Sequence, residues 1–318
     1  MATNSSFRGL SVVSEKIVWA SGTGGTVIRT VDGGKSWNVI QVPEASKLDF
    51  RDIEAFDANT AYILSIGNGD SSRIYKTVDG GKTWMLQFKN DDEKAFFDAI
   101  ACWDKDNCIA MSDPVDHKFL LIDTTNGGGT WAAIASAGMP AAKDGEAAFA
   151  ASGTCLIVRS QKDAYIITGG NAARVYISGD KGKTWKVFDT PITSGTAGSG
   201  IFSIAMLNGT TGVIVGGNYE KPEVHDNNLA FTSNGGRSFH IASGLTGYRS
   251  GATFVGKNTI LAAGSSGSDI TYNGGKDWAN LDKENYNAVA SKGENSVWAV
   301  GAKGLVARLR IVDRGLLK

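Results

Sequence analysis

Three histidines occur in the 318-residue chain. Two of them, His117 and His225, fall in polar stretches crowded with other ionisable groups. These stretches are MSDPVDHK (111–118) and GNYEKPEVHDNN (217–228), and SAGMPAAKDGE (136–146) and PITSGTAGSG (191–200) are comparable in character. Histidine changes charge near neutral pH and serves as acid, base or ligand. Asp113 and Glu146 could act as an acid/base pair, with His117 or His225 assisting. Lys118, Asn218 and Tyr219 stand nearby as ligand contacts. The bland alternative is a set of solvated loop residues, with Asp113 capping a turn before Pro114. Arg8, Arg51 and Arg249 each open an apolar run, in FRGLSVV, FRDIEAF and YRSGATFV. Clustered arginines suit a carboxylate, a phosphate or an acidic peptide end. Salt bridges to neighbours such as Asp52 are the plain alternative.

The elements that must position these side chains are visible as a repeat. Six segments share the form Ser/Thr-x-Asp/Asn-x-Gly-x-x-aromatic: TVDGGKSW (30–37), TVDGGKTW (77–84), TTNGGGTW (124–131), SGDKGKTW (178–185), TSNGGRSF (232–239) and TYNGGKDW (271–278). The Asp or Asn can fold back onto turn N–H groups, the glycine permits positive φ, and the aromatic ring anchors the turn. Each box lies between β-rich runs, and an apolar first strand precedes each group: FRGLSVV, FRDIEAF, FFDAIACW, EAAFAASG, GIFSIAML, YRSGATFV and YNAVASKG. Four strands per unit, with the box between the third and fourth, predict an all-β propeller. Seven first strands against six boxes predict seven blades, with a six-bladed ring as the alternative. The expected organisation is one domain, 1–318, with units near 7–42, 48–89, 96–135, 145–188, 198–243, 249–281 and 285–312. The seventh unit lacks a box, so its outer strand is expected from VDRGLLK or from the N-terminal residues. No helical periodicity is sustained anywhere.

Composition narrows the function classes. Lys plus Arg and Asp plus Glu are both 32, so no basic excess marks a nucleic-acid binder. No apolar run is long enough to span a bilayer. The three cysteines, Cys102, Cys108 and Cys155, form no CxxC. Cys102 and Cys108 flank WDKDN, which reads as a hairpin turn. They could face each other as a disulfide, implying an oxidising compartment, or be two small half-buried thiols. The N-terminus has neither a basic region nor an apolar core of a signal peptide. With the disulfide, this points to an extracytoplasmic protein whose leader is absent from this chain.

The boxes resemble the BNR/Asp-box repeat of sialidases, sortilin-type receptors and photosystem II stability/assembly factor-like proteins. Across most of its length the chain is similar to bacterial members of that last group often labelled oxidoreductases. The segments that carry this are SFRGLSVV, ACWDKDNCIAMSDPVDHKFLLI, GEAAFAASGTC, AARVYISGDKGKTW and GVIVGGNY. No dinucleotide fingerprint or haem or flavin motif supports redox chemistry, and no cofactor or metal is expected. The sialidase Phe-Arg-Ile-Pro segment is broken, because Phe7-Arg8 is followed by Gly9-Leu10. The boxes are expected to be structural. The long loops of units three to five put the candidate site on the face opposite them.

Two functions compete, alongside a plain structural extracellular module. One is a pocket for a small polar or anionic ligand, in a hydrolase or lyase built on Glu146, Asp113, His117 and His225. The other, implied by the assembly-factor resemblance, is a non-enzymatic scaffold binding a protein partner. The loops hold titratable groups without an aromatic patch, which favours the pocket. A monomer is expected.

Overall fold

The computed structural model describes residues 3–310. Its strands form seven sheets arranged as a seven-bladed β-propeller. Strands one and two span Phe7–Val12 and Val18–Gly22 in blade one, followed by Thr26–Thr30 and Asn38–Gln41, each pair antiparallel. The first strand of each blade lines the axis, and successive blades pack through alternate apolar side chains of their first three strands, as in Trp19, Val27, Ile53 and Ile63. Among the described residues, helix is confined to two three-residue 3-10 turns, Gly69–Ser71 and Ser136–Gly138.

Each box is a turn closed by its own side chains. In the first, the Thr30 hydroxyl donates to Asp32 Oδ1 at 2.8 Å and accepts the Gly34 N–H at 2.9 Å, while Asp32 Oδ1 accepts the Ser36 N–H at 2.9 Å. The Ser36 hydroxyl and N–H hold the Asp32 carboxyl down at about 2. The same pattern recurs at Asp79, Asn126, Asp180, Asn234 and Asn273. The aromatic residue that ends each turn packs on the preceding blade. Trp37 meets Trp298 of blade seven edge to face at 5.6 Å, and Trp131 meets Tyr62 of blade two at 6.3 Å.

Blade seven shows three strands, Tyr286–Ser291, Val297–Gly301 and Val306–Leu309. The expected outer strand VDRGLLK lies wholly outside the described residues. Among the described residues the N-terminal ones do not form it, although the ends of the described chain meet: Gly304 N–H donates to Ser5 O, and the Asn287 amide to Phe7 O at 2.9 Å.

Blade four corrects the sequence reading. Its innermost strand is Leu156–Arg159, paired with Asp163–Ile167, and not EAAFAASG. Only Glu146–Ala147 of that segment is a strand, on Gly169–Gly170 at the edge of blade five's sheet. The apolar run looked like a strand because it is buried, but it is buried as a strap across the channel mouth. Gly153 ends the strap at φ +73°, where a Cβ would lie 2.2 Å from Asp52 Oδ1.

Candidate functional site

Strand register decides which side chains meet at the axis. Counting back from each box through the paired strands, the position of Arg8 in blade one is taken by Arg51 in blade two, Asp98 in blade three, Thr154 in blade four and Phe202 in blade five. Ser250 takes it in blade six and, by the matching strand pairs, Asn287 in blade seven. All except Thr154 line one cavity of about 610 Å³ on the face opposite the boxes. Asp113, Phe96, residues 147–151, Tyr219, Tyr248, Ser265 and Tyr286 complete its wall. A larger groove of about 780 Å³ runs along the outer rim between Trp37, Trp298 and Arg308. It borders the end of the described chain, and no site is assigned there.

The strap is held by side chains of blades one to three and by a backbone carbonyl of blade six. Arg8 Nη1 donates to Ala151 O and Arg51 Nη1 to Ala150 O, each at 3.3 Å. Asp113 Oδ1 accepts the Ala148 N–H at 2.8 Å, and the Ser152 hydroxyl donates to Ser250 O at 2.7 Å. Phe149 stacks on Phe202 with ring centroids 3.9 Å apart. Tyr219 stands edge-on to both, and Tyr248 meets Phe202 at 4.7 Å. Glycine is required beneath this stack, since a Cβ on Gly169 would lie 2.2 Å from the Phe149 ring.

The electrostatics are divided by blade. Arg51 Nε is paired with Asp49 at 2.7 Å. Arg8 has no carboxylate within 4 Å among the described residues, and burial, then Arg51, lowers its pKa. Burial and the neighbouring Asp113 charge hold the Asp98 carboxyl well above the carboxylate range, and burial lifts Asp113 to about 6. Deeper in the channel, Asp52 accepts the N–H groups of Ile53 and Ile100 at 2.8 Å, yet burial still raises it to about 8.

Of the residues singled out in the sequence, Arg8, Arg51, Asp113 and Tyr219 come together at this cavity. Asp113 sits within the strand Cys108–Val115 rather than in a loop, because that strand runs on to a two-residue tip, Asp116-His117, with φ of 50° and 65°. Glu146 is not there. Its carboxylate is buried against Arg174, Thr168 and Tyr176, with Arg174 Nε to Oε1 at 2.9 Å. The segment that carries it is not the axial strand, so it never points into the channel. Arg249 is likewise absent, because it lies one residue out of register with Arg8. A one-residue shift turns a strand side chain to the other face. Arg249 is fully buried with Asp269, Nε to Oδ2 at 2.8 Å.

His117 is exposed at its hairpin tip, 3.8 Å from Asp144. His225 is exposed on the blade-five loop beside the Glu223 carbonyl. Lys118 donates to Ser136 O at 2.9 Å, and Asn218 Oδ1 accepts the Glu220 N–H at 2.9 Å, so both support turns. The residues that were missed are Asp98, Phe149, Phe202, Tyr248, Ser250 and Asn287. Asp98 was the most readable, since FFDAIACW carries an acid where FRGL and FRDI carry arginine. The aromatics were not readable, because they come from the strap, an axial strand and an interblade loop.

Cys102 and Cys108 face each other across the first two strands of blade three and are bridged, and Cys155 is buried as a free thiol. No helix among the described residues is long and apolar enough to cross a membrane.

No family model matches the chain, and no curated protein matches it. Solved structures do. YCF48 bound to D1 peptide superposes with a TM-score of 0.71 at 15% identity, covering 98% of this chain and 95% of that one. YCF48 from Cyanidioschyzon merolae gives 0.67 at 17% identity, covering 98% and 97%. A GH74 xyloglucanase from Xanthomonas campestris gives 0.52 at 12% identity, covering 95% of this chain and 57% of that enzyme. At these identities the likeness establishes the propeller fold.

Proposed function

We propose that this protein is a non-enzymatic assembly or scaffold factor that binds a segment of a protein partner at the channel mouth opposite the boxes. The observation that carries this reading is the wall of the cavity itself. Phe149, Phe202, Tyr219 and Tyr248 form a continuous aromatic cluster, in which buried Phe202 and Tyr248 back the partly buried Phe149 and the half-exposed Tyr219. Aromatic residues beside arginines are the usual anchors of a protein interface. The expected acid/base constellation does not assemble there, since Glu146 is spent on Arg174. Likeness to YCF48, one structure of which holds a D1 peptide, supports the same reading.

The partner segment lies extended over the Phe202–Tyr219 wall, with an acidic group or chain end near Arg8. Panning an arrayed peptide library tests this. Selected peptides should lose at least tenfold in affinity with Tyr219→Ala and with Arg8→Ala, and not with Lys186→Ala on an outer strand. Peptides that bind all three variants alike, or a library that yields none, would overturn it.

A pocket for a small polar anion remains the second reading, favoured by Arg8 lacking a carboxylate partner. Calorimetric titration with citrate, sulfate or sugar acids decides it. Saturable binding abolished by Arg8→Ala, in a protein that selects no peptide, would support the pocket.

The proposed location is extracytoplasmic, supported by the Cys102–Cys108 bridge. Alkylation of the protein in intact cells checks this. Thiols free to react at both positions would remove the support.

A further inference from the structure

The cavity has an anionic wall that the partner-binding reading leaves unused. Asp98 stands at the ring position where blades one and two carry arginine, and only 1% of its surface is exposed. It borders the cavity, and its Oδ2 has no hydrogen-bond partner among the described residues. Asp113, from the next strand of the same blade, borders the same space. One Asp113 oxygen holds the Ala148 N–H, and the other accepts no hydrogen bond from the described residues. A buried carboxylate without a partner is unfavourable unless something neutralises it.

The groups facing the pair do not do so. Arg51 is the nearest cation, but its Nε is on Asp49 and its Nη1 on the Ala150 carbonyl. Asp52 and Cys155, the other titratable groups packed beneath, bring no positive charge. In the empty protein the pair therefore retains a proton, consistent with the upward displacement of both carboxyls.

We propose that Asp98 and Asp113 receive an ammonium group, from a lysine side chain or the N-terminus of the bound segment. This rests on the reading that a partner segment occupies the cavity. An ammonium carries three donors around a compact charge, which suits two single oxygens offered by different strands. A guanidinium fork suits the two oxygens of one carboxylate, and Asp113 has already committed one of its own. Among the described residues no group of three His, Cys, Asp or Glu is placed to hold a metal ion. The polarity of the mouth then fixes the orientation of the segment, with its cationic group at blade three and any acidic group at Arg8 on blade one.

The test is a titration of 15N-labelled protein with three probes, followed at the Ala148 amide. Nα-acetyl-lysine methylamide carries only a side-chain ammonium, and alaninamide carries only a chain-end ammonium. Nα,Nε-diacetyl-lysine methylamide is neutral. One cationic probe should bind saturably at pH 7, and which one does identifies the source. Its affinity should fall about tenfold at pH 5, where the carboxyl that titrates near 6 is protonated. Asp98→Leu, which removes the acceptor, and Asp113→Asn, which removes the charge, both checked for folding by their spectra, should each weaken it at least tenfold. The proposal is overturned if neither cationic probe binds, if the neutral probe binds equally well, or if Asp98→Leu leaves affinity unchanged. Peptides that still depend on Tyr219 while the ammonium probes fail would sink this inference alone. Ammonium binding in a protein that selects no peptides would sink the partner reading alone.

Discussion

The carboxylate of Glu146 and the guanidinium of Arg174 form a buried pair, with Arg174 Nε 2.9 Å from Oε1 and the Tyr176 and Thr168 hydroxyls closing around them. This pair fastens the start of the strap to the third strand of blade four, so a residue that looked catalytic is an anchor. Arg174→Ala should lower unfolding stability by about 3–5 kcal/mol, because it leaves a buried carboxylate unpaired. Glu146→Gln should cost less, since the amide keeps an acceptor for Thr168. Chemical denaturation of both variants checks the order. Equal, small losses would mean that the strap is held elsewhere.

Burial of the box aromatics varies around the ring, and the cost of removing them should vary with it. Trp185 is 6% exposed, and its indole N–H donates to Gly182 O at 2.8 Å. Trp185→Ala is expected to cost about 3–5 kcal/mol. Trp84 is only half-buried, and its indole nitrogen has no partner among the described residues, so Trp84→Ala should cost less. Thermal and urea melts of the two variants measure the difference.

Stability should decline as the pH rises from 4 to 8. Asp113 and Asp52 have folded-state values of about 6 and 8 against an ordinary 3.8, so the folded chain binds more protons than the unfolded chain across that window. Each group then removes about 1.4 kcal/mol per pH unit between its unfolded and folded values. Asp113→Asn should lessen the slope between pH 4 and 6, where Asp52 still contributes, and leave the fall from 6 to 8. The box carboxyls Asp32 and Asp79, held at about 2, act in the opposite sense and only below pH 4. A profile that rises from pH 4 to 8 would contradict the burial of the channel acids.

The Cys102–Cys108 bridge closes a short hairpin loop, so its entropic contribution should be modest. The double Cys102→Ser, Cys108→Ser variant should be destabilised by about 2 kcal/mol. Unreduced protein should be lighter by two hydrogens than the reduced form in mass spectrometry.

The sequence by itself determined the repeat, and with it the blade count. Box chemistry is local: Thr30, Asp32, Gly34 and Ser36 satisfy one another within seven residues. Any chain with that spacing makes that turn, and six such turns plus a seventh axial strand leave little freedom for the rest. The axial positions of Arg8 and Arg51 were legible too, since both follow a phenylalanine at the head of an apolar first strand. Tertiary structure decided the site. Arg249 matches those arginines in one-letter alignment, but a single-residue difference in register sends it inward to Asp269. Residues 145–153 have the apolarity of an axial strand, yet Leu156–Arg159 holds that place, and the displaced segment crosses the mouth. Apolar pattern records burial and not the partner that buries it. Whether a buried segment pairs in a sheet or lies across its end depends on contacts from blades far away in the chain.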